Sequence, residues 1–249
     1  MKRKSEAKPR GRPPKDSADG LTREQIVKTA LELIDEKGLE TFSLRDAARK
    51  LNVYPTALYW HFAGGRNAVL AEVATIAFHD VAPPFPPQED WRGWLRGLLE
   101  RYRQSLQRHP NIAPLLGAQL VSNSGINPLL VEQILAALKA AGFEAPRIVD
   151  AYNAVVAAMI GYVTLELAPM PDDDPVDWAA ELEDRVRALP AEDYPLLVEH
   201  LDLLSNKAFI VRWQSGRVNP LTGGFELYVD MVIAGLEGIL SRRKDGAAA

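Results

Sequence analysis

"SLRDAARKLNVYPTALYWHF", Ser43 to Phe62, is the stretch whose reading decides the fold. Ser43-Leu-Arg-Asp46 opens a short helix, with a hydroxyl placed to accept from the first free N–H groups. Ala47, Ala48 and Leu51 then repeat along one face at helical spacing. Asn52 tolerates the left-handed conformation that stops a helix. Val53 packs inward, and Pro55 suits the first turn of the next helix because its missing N–H costs nothing there. Small Ala47 and Ala48 sit where the second helix must approach. Two short helices joined by a tight turn form the helix-turn-helix pattern; the plainer alternative is an ordinary hairpin inside a bundle. The second helix favours the first reading. Leu58 and Phe62 share one face and can anchor it. Thr56, Tyr59 and Trp60 share another, and Ala57 with His61 a third. A short helix that leaves Tyr, Trp and His outside is costly as plain surface. Against DNA, hydroxyls and imidazole can bond phosphates, and Thr56 or Ala57 can touch base edges or a thymine methyl.

Working outward, Thr22-Arg-Glu-Gln25 is a capping box, and Ile26, Ala30, Leu33 and Ile34 give the helix behind it an inner face that Gly38 ends. Gly64-Gly65 ends the helix after the turn, and a fourth helix is expected over about residues 67–79. "APPFPPQ", Ala82 to Gln88, breaks the helical pattern and is expected to connect two domains. Further helices are expected at Trp91 to Arg108, Ile112 to Leu120, Pro128 to Ala141, Arg147 to Leu167, about 191–207, and Phe225 to Ser241, with a short one near Trp178 to Leu189. There is no strand pattern of useful length. The expected fold is all-α: an arm over residues 1–20, a helix-turn-helix domain over 21–80 and a helical domain over 81–249.

Composition narrows the chemistry. The chain has 249 residues, 47% of them apolar, and no cysteine, which rules out disulfides, a thiol nucleophile and a cysteine metal site and suits a reducing cytosol. P-loop, dinucleotide-glycine, G-x-S-x-G and HExxH signatures are absent, so an enzyme is not expected. The aspartates Asp172 to Asp174 read as a solvated loop rather than a metal site, and no cofactor is expected. The basic first residues lack the apolar core of a secretory signal. The uncharged stretch Ala151 to Leu165 is shorter than the ~20 residues a membrane span needs. Charge is uneven. Residues 1–15 carry seven basic side chains and one acidic, a net +6, in a chain of net −4, which leaves −10 for the rest. A basic arm on an acidic body points to a polyanion at the arm alone, unless it is only a solubilising tail. Residues 1–20 hold too few apolar side chains to offset ordering entropy and are expected to be disordered. An architectural DNA protein led by this tail is disfavoured, since bending DNA needs no large apolar domain.

The segment "LTREQIVKTALELIDEKGLETFSLRDAARKLNVYPTALYWHF" resembles the tetracycline-repressor (TetR) family of bacterial transcription regulators, with specific likeness over Leu21 to Val73. Beyond Phe78 the likeness lies in helix count, length and the late segment "FELYVDMVIAGLEGIL". The resemblance implies a ligand-responsive regulator, by family default a repressor. Such a protein binds a palindromic double-stranded operator as a homodimer and is released by a small molecule. Carried over by position, Arg45 would contact DNA from the second helix. Thr56 and Ala57 would face bases, Tyr59 and His61 would hold phosphates, and Trp60 would pack on the backbone. The family's usual lysine after the reading helix is replaced here by Gly65, with Arg66 expected to substitute for it. Arg147 to Leu167 and Phe225 to Ser241 would pair with their copies. The last helix has two apolar strips, Phe225-Val229-Val232-Leu236-Ile239 and Leu227-Met231-Ala234-Gly238, and the second needs a partner.

The effector would lie among the helices of the second domain. Trp94, Tyr102, His109, Asn111, Gln119, Asn153, Met159, Tyr162 and Glu166 are the candidate lining, because a mostly apolar pocket with a few polar groups is the usual ligand site. The alternative for each polar member is a satisfied structural group. His79 and His109 are the only histidines in suitable regions and no ligand-spaced cluster surrounds them, so neither tetracycline nor magnesium is implied. Pro9-Arg-Gly-Arg-Pro13 is similar to the core of an AT-hook, with Arg10 and Arg12 suited to the negative potential of a narrow A/T minor groove.

Overall fold

Thr22 caps α1 (Arg23–Lys37) reciprocally: its hydroxyl accepts from the Gln25 N–H at 3.1 Å, and the Gln25 side chain accepts from the Thr22 N–H at 2.9 Å. Gly38, at φ 87°, ends the helix by donating to the Ile34 carbonyl. Ser43 caps α2 (Leu44–Lys50), Asn52 turns the chain at φ 54°, and Pro55 begins α3 (Pro55–His61). The turn is tied by the Val53 N–H to the Ala48 carbonyl at 3.0 Å. Leu58 and Phe62 are fully buried and anchor α3, each contributing roughly 2–3 kcal/mol. α4 (Gly65–Ala77) packs back on α1.

The structure, a computed structural model, describes residues 20–86, 90–115, 128–168 and 175–246, and only the backbone of 175–177 and 243–246. The expectations for the arm, for Asp172 to Asp174 and for most of the Ile112–Leu120 helix lie outside the described residues; a short 3₁₀ turn, Pro110–Ile112, marks that helix's start. The described residues form α-helices and no strand.

The body contains α5 (Trp91–Arg108), α6 (Pro128–Ala141), α7 (Arg147–Glu166), α8 (Pro175–Arg187), α9 (Pro195–Leu204) and α10 (Thr222–Gly246). α5 packs against α6, α7 and α10. The connector does not split the core. Buried side chains run without a break from Ile26, Leu58 and Val73 through Phe78 and Val81 to Leu95 and Leu98. Trp94 pins the connector by donating to the Pro83 carbonyl at 3.3 Å and meeting Phe85 edge-on. A second, separate core joins Leu201, Val211 and Trp213 to Trp178, Leu182 and Leu197, so α8, α9 and the strap after them fold on each other. Helical spacing alone does not disclose this cluster, because Val211 and Trp213 lie outside any helix.

By length and composition α7 is apolar enough to cross a membrane. Its inner face, Val155, Met159, Tyr162 and Val163, is buried in the core, and Glu166 at its end is fully buried in an ion pair. Its outer face carries Val149, Asn153, Ala157 and Leu165, all exposed. On α10, Phe225, Val229, Ile233 and Leu236 face the core. Leu227 and Met231 are each 63% exposed, with Ala234 and Gly235 exposed beyond them.

Candidate functional site

The head presents one continuous outward surface. α3 is anchored through Leu58 and Phe62, so Thr56, Tyr59 and Trp60 stand exposed, Trp60 to 90%, with Ala57 and His61 half-buried beside them. Arg45 is exposed on α2. Tyr54, 70% exposed at the N-cap of α3, belongs to the same surface. Sequence reasoning missed it because a residue ahead of Pro55 reads as turn; the signal available was an aromatic where a turn prefers Asp, Asn or Ser. The arrangement suits an extended anion. Hydroxyl and imidazole donors flank a flat apolar side chain, and the buried anchors hold the helix out from the fold.

Arg66 is placed differently from the expectation. Its guanidinium donates to the Phe42 carbonyl at 3.2 Å and the Leu39 carbonyl at 2.8 Å and lies over the Phe42 ring. Those partners draw it inward, and it braces α4 against the α1–α2 loop. Lys50 is likewise engaged by Glu36 and Glu32. Arg23, at the start of α1, donates to the His61 carbonyl, pairs with Glu72 and sits 4.1 Å over the Phe62 ring. The first turn of α1 is thereby clamped to the end of α3.

The candidate effector residues that the structure describes are held by different partners. His109 bonds Asp35 at 2.8 Å, and Asn111 donates to the Ile34 and Asp35 carbonyls at 2.8 and 3.0 Å while accepting from Arg217. These two residues cap the end of α1 and join body to head. The same junction is held by Arg101 on the Val81 carbonyl at 2.9 Å and by Ser105 on the Ala77 carbonyl. Beside it a cleft of about 650 Å³ is lined by Leu31, Ile76, Asp80, Gln104, Arg108 and His109, among others. Asn153 lies on the exposed face of α7, away from the core. Trp94 pins the connector, and Gln119 lies outside the described residues.

Glu166 is a structural group. Its carboxylate accepts from Arg103 at 2.8 and 2.5 Å and from the Leu221 N–H at 2.7 Å, while Arg103 also reaches Thr222 and covers the Phe225 ring. This buried pair fastens α5 to α7 and to the entry of α10. Gly216 packs so hard on the Glu166 backbone that a Cβ would lie 1.8 Å from the carbonyl oxygen. Tyr162 donates to the Leu221 carbonyl at 2.8 Å and is ringed by Phe209, Phe225 and Tyr228. Burial, with Glu166 next, pushes its phenol pKa up. Tyr102 stacks on Phe78, and burial raises its phenol far above the ordinary value. Its hydroxyl is buried with no hydrogen-bond partner among the described residues. Met159 is buried in the same body. The described residues hold no group of three or more acidic, His or Cys side chains placed for a metal ion.

Residues 26–73 match the bacterial regulatory proteins of the tetR family, and residues 83–239 match the tetracyclin repressor-like C-terminal domain. The chain belongs to the TetR family. An HTH-type transcriptional regulator of Saccharopolyspora erythraea is 33% identical over 178 residues, covering 71% of this chain and 73% of that protein. The class C tetracycline repressor protein of Escherichia coli is 38% identical over 88 residues, 34% of this chain and 40% of that one. Among solved structures, the Streptomyces coelicolor TetR-family protein ActR in complex with (S)-DNPA is 25% identical with a TM-score of 0.64, covering 88% of this chain and 98% of ActR. ActR in complex with actinorhodin, at 23% identity and a TM-score of 0.68, covers 88% and 97% and shares the fold. As a TetR-family regulator the protein is a DNA-binding transcription factor and not an enzyme.

Proposed function

We propose that the protein is a homodimeric repressor that holds a palindromic operator and releases it on binding a small molecule. The observation that carries the reading is the exposure of Thr56, Tyr59 and Trp60 on a helix whose only deep anchors are Leu58 and Phe62. Thr56 and Ala57 contact base edges. Tyr59, His61 and Arg45 hold phosphates, and Trp60 packs on the backbone, with Tyr54 added to the set. Arg66 acts as a brace rather than a phosphate ligand.

The outward stripes of α7 and α10 pair with their copies across a two-fold axis. Val149, Ala157, Leu165, Leu227 and Met231 form an exposed apolar surface of the kind that marks an interface. Small Gly161 and Gly235, each with open space where a Cβ would stand, allow close helix approach. A two-fold dimer sets its two reading helices one DNA turn apart, about 34–36 Å. The effector binds in the body near Tyr102, Met159 and Tyr162, where the buried Tyr102 hydroxyl has no partner among the described residues. A regulator that meets chromosomal DNA in this way works in the cytoplasm.

Selection of duplexes from a random pool with the full-length protein tests the DNA reading. The expected outcome is a palindrome with half-sites one helical turn apart. Recovery of sequences with no dyad symmetry contradicts it.

A further inference from the structure

We infer that the turn at residues 215–219 carries the state of the effector end of α7 to the reading head, and that Arg217 is the positioning residue through which it acts; the inference rests on the readings of α3 and of the body given above. Two sets of contacts lead here. The first fixes the strap ahead of α10 to the last turn of α7. Arg212 donates to the Leu165 carbonyl at 3.3 Å and to the Glu166 carbonyl. The Leu221 N–H donates to the Glu166 carboxylate at 2.7 Å, and Tyr162 donates to the Leu221 carbonyl at 2.8 Å. Between these ties Gly216 is pressed on the Glu166 backbone, where a Cβ would stand 1.8 Å from the carbonyl oxygen. The turn itself is braced. The N–H groups of Val218 and Asn219 both donate to the Ser215 carbonyl, at 3.0 and 3.2 Å, and the Asn219 amide donates to the Asn206 carbonyl at 2.7 Å. Val211 and Trp213, just ahead, are buried in the second core. A braced turn held to α7 at three points moves with it, which is how packed and hydrogen-bonded networks carry coupling.

The second set begins one residue later. Arg217 donates to the side-chain carbonyl of Asn111, 106 residues away along the chain. With its oxygen held there, Asn111 turns its amide N–H groups to α1 and donates to the Ile34 and Asp35 carbonyls at 2.8 and 3.0 Å. An Asn side chain has one accepting and one donating end, so the guanidinium decides which end faces α1. Its charge makes the bond stronger than a neutral one. The Ile34 carbonyl also accepts from the Gly38 N–H that ends α1, and the other end of α1 is clamped by Arg23 to the end of α3. A shift at Tyr162 or Glu166 therefore has a route to the reading helix through Gly216, Arg217, Asn111 and α1. Arg217 is exposed and lies outside any helix and outside both cores, so packing does not account for it.

Hydrogen exchange of the full-length protein, followed by mass spectrometry with neither DNA nor effector present, tests the link, because exchange reads local opening. Gly216→Ala forces the turn off Glu166. It is expected to speed exchange at the end of α1, the Gly38 amide above all, by about tenfold, within the usual range for coupling between sites. In protein already carrying Arg217→Ala the same substitution is expected to add nothing at α1 while still speeding exchange at the end of α7. Arg212→Ala loosens the same tie without a clash and takes the place of Gly216→Ala if that variant does not fold. Arg217→Lys keeps a charged donor for Asn111 and is expected to preserve the coupling. Affinity for the selected palindrome is expected to follow the same pattern, lowered about tenfold by Gly216→Ala and no further in the Arg217→Ala background. An Arg217 with a merely structural role gives effects that add. Additive effects overturn the inference, as does exchange at α1 that neither Gly216→Ala nor Arg212→Ala moves, or an operator affinity that stays native in both. A pool that yields no palindrome overturns the reading of α3 and leaves the exchange result intact.

Discussion

The proposed reading face of α3 and the outward stripes of α7 and α10 are both exposed and both rich in carbon, yet they are built from different residues. The first is made of Tyr54, Tyr59 and Trp60 beside Thr56 and His61. The second is made of Val149, Ala157, Leu165, Leu227, Met231 and Ala234, with Asn153 as its one amide. An aromatic ring with a polar tip can lie against a sugar–phosphate chain while its N–H or O–H stays wet. Aliphatic and small side chains have no such tip and gain only from packing on like surface, as helices do in a bundle. On the proposed reading, the chemistry of an exposed apolar patch names its partner class: nucleic acid at the head, a second copy at the body.

The comparison can be broken most forcefully at the body. Leu227→Glu with Met231→Glu places like charges together across the proposed two-fold axis. Light scattering coupled to size exclusion is expected to show a monomer, and affinity for the palindrome is expected to fall by about 10²–10⁴, the scale of bivalent binding reduced to a single site. A variant that remains dimeric breaks the assignment of this face.

Legibility followed the same division. The turn at Asn52, the caps at Thr22 and Ser43 and the anchors Leu58 and Phe62 all lie within a few residues of what they contact, so spacing along the chain discloses them. The second core around Trp213 and the partners of His109, Asn111 and Glu166 do not. Asn111 meets Ile34 and Arg217, and Glu166 meets Arg103 and Leu221, from far along the chain. A polar residue on an apolar helix looks the same in sequence whether it awaits a ligand or already holds an arginine. Asn153 is obscured for the opposite reason: its helix is buried on one side only, and periodicity cannot tell a side turned to the core from a side turned outward.

The next largest effect separates the body's interior from the head's surface. Glu166→Ala leaves Arg103 buried without its carboxylate, at a cost of about 3–5 kcal/mol, to be read as a lowered denaturant midpoint. A midpoint near native would mean that the pair does not fasten α5 to α7. At the head, Tyr59→Ala with His61→Ala is expected to cost about 10–100-fold in operator affinity, the worth of one or two hydrogen bonds to charged groups. Its melting temperature should stay close to native, since Tyr59 is exposed and His61 half-buried. Unchanged affinity would remove these side chains from the interface.

The smallest effect is a pH response confined to the body. Burial raises the Tyr102 phenol, so the stability linked to its neutral form is complete below about pH 10, the unfolded value. It is lost as pH climbs from there toward the folded value, because the unfolded phenol ionises first. Tyr102→Phe should blunt that alkaline loss. At pH 7 it should change stability by less than about 1 kcal/mol, because the hydroxyl has no partner to lose among the described residues. Alkaline titration of both proteins by circular dichroism checks this, and identical curves would contradict it.

The central claim is that two copies of α3, related by a two-fold axis, read the operator. Its most direct test repeats the duplex selection with Thr56→Ala and compares the recovered sequences with those of the native protein. The account predicts a changed preference at one base pair in each half-site, at positions related by the dyad, with the rest of the palindrome kept. A selected sequence identical to the native one, or a change in only one half-site, would contradict it.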